Sequence, residues 1–232
     1  MAFAPVLSSL SLGQQVSTPP IEPQPADKRI FWFIPNYRTS PSLHPYRPLT
    51  PREKFKIAAK DSFDRGTVAL AVLSAGAAQL THATPAFGQG AAGYARYLGT
   101  AYADFVIRDM MTEALYPVIF HQDPRYFRRG TGTTWSRLGS AAGQIFRTQT
   151  DSDKTEFNFS EIIGNSTAVA ISTAYHPNSR TATDAVSKLG VHLGVHVAAN
   201  ILKEFWPDID RKLSRENRKG KGDATTEPVQ GW

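Results

Sequence analysis

Small residues recur at every fourth position in three segments of this chain. The three stripes are Ala91, Ala95, Gly99 and Ala103; Gly164, Ala168 and Ser172; and Gly190, Gly194 and Ala198. Residues four apart lie on the same face of an α-helix. A face made only of Gly, Ala and Ser lets another helix backbone approach closely, as in small-xxx-small pairs of membrane helices. The stripes therefore predict closely packed helices and, secondarily, contact with a membrane.

The distribution of proline divides the 232 residues into three regions. Closely spaced prolines exclude regular helix from residues 1–49, which we predict to be an extended Pro-rich arm, disordered to about Lys28. Within it, the apolar run IFWFI at residues 30–34 is expected to cross the helical body as a strap or to anchor at a membrane interface. A helical domain is predicted over residues 50–215 and a basic disordered tail over residues 216–232.

The domain begins with a strong helix signal and reads as all-α. Thr50, Pro51 and Glu53 have the spacing of a capping box with proline in the first turn. Apolar periodicity further along the chain predicts a compact bundle of five to seven helices. The last long helix is expected to stop at Pro207, followed by a short terminal helix to about Arg215.

A polar stripe and a small-residue stripe share that last long helix. Their separation predicts a polar face towards solvent and the small face towards the bundle. The polar stripe consists of Asp184, Lys188, His192, His196, Asn200 and Glu204.

A candidate catalytic cluster lies on and after the longest helical stretch. Asp109 and Glu113 are four apart, so two carboxylates share one helix face and need an arginine, a metal or a shared proton. With His121 and Asp123 nearby, the residue types suit general acid–base chemistry, with Glu113, His121 and Asp123 as the catalytic candidates.

An arginine-rich loop follows at residues 121–132. Its Arg125, Arg128 and Arg129 lie among aromatic residues and are candidates for binding an anionic group such as phosphate or a lipid headgroup. The alternative is a structural role, in which these arginines neutralise carboxylates on adjacent helices.

No metal or cofactor is predicted. The chain has no cysteine, which excludes disulfides and thiolate ligands. His192 and His196 have a zinc-like spacing, but Leu193 stands where a metalloprotease has its glutamate.

The net charge of +6 favours anionic partners. Anionic lipid or a membrane surface is the partner that we expect, with a protein partner or a second copy of the chain also open. Nucleic acid is the least favoured, because a basic terminal stretch is usually a solvated tail.

Three stretches carry a resemblance: TEALYPVIFHQDPRYFRRGTG at 112–132, FNFSEIIGN at 157–165 and KEFWPDI at 203–209. Together they resemble a group of uncharacterised bacterial proteins, some of which carry secretion signals. The likeness covers roughly residues 30–213 and implies a cell-envelope location. It carries no functional residue over to this chain.

Two functions remain open from the sequence. The first is a non-catalytic, membrane-associated or cell-envelope helical protein. The alternative is a hydrolase acting on a phosphate- or lipid-like substrate through the Glu113, His121 and Asp123 cluster. A cytoplasmic location is the alternative to the envelope.

Overall fold

The computed structural model describes residues 29–30, 34–35, 39–40, 46–177 and 181–223. The described part consists of helices and short strands, the strands pair in twos, and a π-helical segment at Met110–Leu115 joins two of the helices. The helices are α1 (Pro51–Ser62), α2 (Arg65–Leu80), α3 (Gly90–Asp109), α4 (Tyr116–Ile119), α5 (Thr134–Gly143), α6 (Phe159–Tyr175) and α7 (Ala182–Asp223). The strands are β1 (Arg29–Ile30), β2 (Ile34–Pro35), β3 (Thr39–Ser40), β4 (Tyr126–Phe127), β5 (Arg147–Gln149) and β6 (Thr155–Phe157). The predicted all-α bundle is confirmed.

The predicted helix starts are built from side-chain caps. Thr50 Oγ1 accepts a hydrogen bond from the Glu53 amide at 3.3 Å, and Glu53 Oε2 accepts one from the Thr50 amide at 2.9 Å. This reciprocal pair completes the capping box of α1. At α6, Asn158 caps the helix by accepting from the Glu161 amide at 3.0 Å.

The helices pack in a chain of neighbours. α2 packs along α3, α3 packs against α6, and α6 packs against α7, with α5 also against α7. The second small-residue stripe lies in this packing, since Gly164, Ala168 and Ser172 are all buried. A Cβ at Gly164 would lie 2.9 Å from Thr112 Cγ2, so this glycine lets α6 approach the π-helical segment.

The first and third stripes face outwards instead. Gly99, Gly190 and Gly194 have no atom within 4 Å of the place where a Cβ would stand. The close approach of α3 is made on its other side by Gly93, whose Cβ would lie 2.4 Å from the carbonyl oxygen of Gly88. Close packing was therefore a correct prediction for one stripe and wrong for the other two.

α7 is turned the opposite way from the prediction. His196 and Glu204 of its polar stripe are buried, whereas Val191 and Val195 on the small-residue side are 63% and 52% exposed. The amphipathic pattern shows that the two faces differ, but it does not say which one the protein covers.

The predicted stop at Pro207 is also wrong, because α7 continues through this proline to Asp223. Proline removes a backbone donor from a helix interior. Side chains donate to a neighbouring carbonyl of the same turn, since Arg128 Nε and Arg137 Nη2 each lie 2.8 Å from the carbonyl oxygen of Glu204. The helix therefore passes the predicted domain boundary at 215, and the remainder of the predicted tail, residues 224–232, lies outside the described residues.

The interior of the described part is mostly polar. Its buried set holds 21 polar or charged residues against 11 hydrophobic ones, and the only large aliphatic side chains among the latter are Ile145 and Val169. A small hydrophobic cluster of Ala75, Phe87 and Tyr97 joins α2 to α3. Within the same described part, eighteen large hydrophobic residues are exposed. Soluble domains usually bury such residues, so this distribution is inverted.

The arm contributes two of the strand pairs. β1 and β2 pair antiparallel with Ile30 opposite Ile34, which places the two ends of the apolar run side by side. β2 contacts α2, and residues 31–33 of the expected strap lie outside the described residues. β3 pairs in parallel with β4 of the arginine-rich loop. The predicted disorder of residues 1–28 lies outside the described residues.

Candidate functional site

The arginine-rich loop is held against α7 by one buried carboxylate. The Glu204 side chain has no exposed surface and accepts hydrogen bonds from the Tyr126 hydroxyl at 2.8 Å and Arg137 Nε at 2.8 Å. It also accepts from the backbone amides of Arg129 at 3.0 Å and Gly130 at 2.9 Å. Burial and the hydrogen bond to Glu204 raise the pKa of the Tyr126 hydroxyl. Glu204 therefore fixes both the backbone and the side chains of the loop.

Arg128 belongs to the same network. Its Nη2 lies 3.4 Å from Asp208 Oδ2, an oxygen that also receives Arg137 Nη2 at 2.6 Å. Because the Arg128 guanidinium also donates to the backbone of α7, it serves in internal pairing. This matches the structural alternative for the loop.

Asp123 and Arg125 are engaged with each other. Arg125 Nε and Nη2 lie 3.0 and 2.6 Å from the two oxygens of Asp123 in a bidentate pair, and the Tyr46 hydroxyl donates to Asp123 at 3.0 Å. Burial acts to lower the Arg125 pKa, but the bond to Asp123 outweighs it and the pKa is raised. The Asp123 side chain has no exposed surface. Its oxygens are thus occupied by fixed donors.

The structure does not gather the three catalytic candidates into one cavity. Glu113 is buried in the π-helical segment, while the His121 side chain is 83% exposed and its Nδ1 is 4.0 Å from Asp151 Oδ2. Of the three, Asp123 alone lines the cavity that lies between the arginine-rich loop, α5 and α7.

The charged residues of α3 have hydrogen-bond and ion-pair partners that their spacing in the sequence does not predict. Arg108 pairs with its neighbour Asp109 at 2.9 Å instead of with Asp104. Asp104 instead accepts from the Tyr175 hydroxyl and contacts His176 Nε2 at 3.0 Å, which ties α3 to the end of α6. Burial acts to raise the pKa of Asp104, but the hydrogen bonds from His176 and Tyr175 outweigh it and hold that pKa below its usual value.

A cavity of about 800 Å³ lies between the arginine-rich loop, α5, the β5–β6 hairpin, the start of α6 and α7. This size suits a small organic ligand. Inside it, Glu161 Oε1 contacts His196 Nδ1, and Asn165 Nδ2 donates to the same oxygen at 2.9 Å. A carboxylate on Nδ1 fixes the orientation and tautomer of an imidazole.

Sequence reasoning missed Glu161 and His196. His196 was assigned to a solvent face, and Glu161 is 35 residues away in the chain. The signal that could have found them is the run of six polar residues along one face of an otherwise apolar helix, which in a membrane-type bundle points inwards.

Two arginine side chains that line the cavity have no partner within the described residues. Among the described residues, the guanidinium groups of Arg129 and Arg147 make no hydrogen bond and no ion pair. Arg147 lies over the end of α5, where a Cβ on Gly143 would be 2.7 Å from its Nη2. Of the predicted anion-binding residues, Arg129 is therefore the one left free for a ligand, and Arg147 joins it.

A metal site does not emerge from this arrangement. In the described ranges, no group of three or more His, Asp or Glu side chains is placed to hold an ion.

The fold and this cavity define the class of the protein: an all-α bundle whose described interior is mostly polar and whose surface exposes several large apolar side chains. The chain matches no protein-family model, no curated protein and no solved structure. Its function is therefore argued from its own geometry.

One described helix is long and apolar enough to cross a membrane, judged by length and composition. Within Ala182–Leu213 of α7, an 18-residue window has a mean hydropathy of 1.3 with only 6% of it buried. The stretch Ala182–Leu213 includes the exposed residues Val186, Val191 and Val195.

Proposed function

We propose that this is a non-catalytic, membrane-associated helical protein of the cell envelope, in which α7 lies along a lipid bilayer. The observation that supports it best is the outward face of α7, where Val186, Val191 and Val195 are 69%, 63% and 52% exposed. The opposite face packs on α5 and α6. An amphipathic helix in this state buries its apolar side at the boundary between headgroups and acyl chains.

Lipid suits this surface better than a single protein partner does. Apolar exposure is not confined to α7, since Leu73 on α2 is 64% exposed and Ile171 on α6 is 38% exposed. A partner covers one patch, whereas a bilayer contacts apolar residues on several helices at once. Polar residues that face the interior of a helical bundle, with apolar residues on its outer faces, are also typical of membrane bundles.

Charge favours an anionic bilayer. The chain carries a net charge of +6, and the exposed residues Arg211 and Lys212 follow the apolar part of α7. Basic residues near a membrane surface each contribute about 1 kcal/mol of attraction to anionic lipid. Apolar burial and headgroup attraction would therefore act along the same helix.

The test is sedimentation with vesicles of phosphatidylcholine alone and with phosphatidylglycerol added. The protein is expected to pellet with both and more strongly with the anionic vesicles, whereas a protein that stays in the supernatant at low salt would overturn the proposal. Val191→Glu is expected to weaken binding, and Phe55→Glu, an apolar residue 46% exposed on α1, is the matched control.

Two further measurements separate the alternatives. Light scattering of the lipid-free protein reports whether a second copy covers α7, and a stable dimer lost in Val191→Glu would contradict the lipid proposal. Cell fractionation tests the envelope location, and recovery wholly in the soluble cytoplasmic fraction would contradict it.

A further inference from the structure

The walls of the 800 Å³ cavity carry an excess of positive charge. Five basic side chains and two carboxylates line it. The basic ones are Arg125, Arg128, Arg129, Arg147 and Lys203, and the carboxylates are Asp123 and Glu161. A concave surface lined mostly by one sign of charge concentrates ions of the opposite sign.

Ion pairs within the protein do not neutralise all of these basic side chains. Asp123 is held by Arg125, and Glu161 contacts His196 and Asn165. Arg129 and Arg147, by contrast, make no hydrogen bond or ion pair to any part of the chain that the structure describes. Both residues line the cavity, and each guanidinium can donate two parallel hydrogen bonds to the oxygens of a phosphate group.

Helix α5 supplies neutral donors to the same cavity. Ser136 and Ser140 are four apart on this helix and both line the cavity, and within the described ranges neither hydroxyl has a hydrogen-bond partner. Gly139, between them, leaves open space. This wall therefore offers hydrogen bonds and room together.

We propose that the cavity binds a small molecule bearing a phosphate ester, with Arg129 and Arg147 holding the phosphate and the hydroxyls of Ser136 and Ser140 completing its hydrogen bonds. This proposal does not depend on the proposed membrane association, because the same residues would hold the phosphate of a soluble ligand. The phosphate belongs either to a free metabolite or to a lipid headgroup, and the two sources present the same group to the arginines.

Isothermal titration at low ionic strength tests this site with glycerol 3-phosphate as the soluble probe. Arg147→Gln and Arg129→Gln are each expected to weaken binding by about tenfold, the loss of one charge-assisted bidentate contact. Arg47→Gln is the control, since it removes the same charge from a side chain that is 69% exposed and does not line the cavity.

Gly143→Ala tests the geometry without changing the charge. Its new methyl group would stand 2.7 Å from Arg147 Nη2. The flexible end of that side chain can move aside, so the fold is kept and the guanidinium is displaced. A severalfold loss of affinity is expected, with an unchanged circular dichroism spectrum.

A parallel titration with phosphatidylglycerol nanodiscs distinguishes the two sources. If glycerol 3-phosphate binds and its binding depends on Arg147, the ligand is a soluble ester. If only the nanodiscs bind, and their binding depends on Arg147, the ligand is a lipid headgroup. The proposal is overturned if the protein binds neither probe more tightly than about 1 mM. It is also overturned if Arg47→Gln weakens binding as much as the cavity variants, or if Gly143→Ala binds like the unaltered protein.

Discussion

Removal of the Glu204 carboxylate is expected to release the arginine-rich loop from α7. In Glu204→Ala, the Tyr126 hydroxyl, the Arg137 guanidinium and the amides of Arg129 and Gly130 lose the acceptor that they share at 2.8–3.0 Å. Arg137 keeps its 2.6 Å contact to Asp208. The variant therefore leaves buried donors that only water can satisfy.

The size of the effect follows from burial. A buried donor left without an acceptor costs about 1–3 kcal/mol. Because Arg137 stays paired with Asp208, three donors lose their acceptor, and the loop is expected to open and admit water, which limits the loss. Breaking a buried ion pair by removing one partner costs about 3–5 kcal/mol, and we expect Glu204→Ala to lose that much free energy of unfolding.

Two companion variants test whether the loss of unfolding free energy follows the burial and the remaining acceptors of each side chain. Glu204→Gln keeps one carbonyl oxygen at the site, so its loss is expected at about half that of Glu204→Ala. Asp208→Asn removes a carboxylate that is 32% exposed, and its loss is expected to stay below about 1 kcal/mol.

Urea unfolding followed by circular dichroism measures the three free energies. Hydrogen exchange at the Arg129 and Gly130 amides shows whether the loop opens locally before the bundle unfolds. A loss below about 1 kcal/mol in Glu204→Ala would refute the role given to this carboxylate. Equal losses in Glu204→Ala and Asp208→Asn would refute the ranking by burial.

Three other predictions concern the frame of the bundle. Gly93→Ala sets a Cβ 2.4 Å from the carbonyl oxygen of Gly88 and is expected to cost about 1–3 kcal/mol. Gly99→Ala, which meets nothing within 4 Å, is expected to stabilise by up to about 1 kcal/mol, and calorimetry of the two variants compares them. Because the pKa of Asp104 is held below its usual value of 3.8, its carboxylate stabilises the fold above that pH, and the contribution is lost as the pH falls through the lower folded value. Asp104→Asn is therefore expected to reduce the fall of Tm in acid, and an unchanged acid profile would contradict this. Thr50→Ala removes the cap of α1 and is expected to cost about 1 kcal/mol in urea unfolding, with no loss if the cap is unimportant.

Local signals in the sequence predicted the local structure. Thr50 and Glu53 are close in the chain, and their capping box formed as expected because both partners lie in the same turn. The structural alternative for the arginine-rich loop fits Arg128, which pairs with Asp208 of α7, whereas Arg125 pairs with a carboxylate of the same loop. Asp123 and Arg125 are two residues apart, so their pairing needs no knowledge of the fold.

Long-range contacts were out of reach of such signals. Glu204 meets Tyr126 across 78 positions of the chain, and neither residue carries a pattern that names the other. The stripes show the same limit, because small residues permit close approach without specifying a partner. Gly164 has such a partner in Thr112, and Gly194 has none within 4 Å.

The prediction of which face of α7 lies inwards failed for a different reason. The sequence shows that His196 and Val195 lie on different faces, but the choice of the inward face depends on the surrounding medium. The usual assumption is water, which drives valine inwards. Here the bundle buries the histidine with Glu161 and leaves the valine 52% exposed.

The polar interior also has a thermal consequence. Exposure of apolar surface on unfolding raises the heat capacity and exposure of polar surface lowers it, so globular proteins average about 12–15 cal/mol/K per residue. A described interior with 21 polar or charged residues and 11 hydrophobic ones would release little apolar surface. Its heat-capacity increment would lie below that average, and its stability curve would be flatter. Such a chain would lose little stability on cooling, because the interactions that hold it do not fade in the cold as hydrophobic ones do.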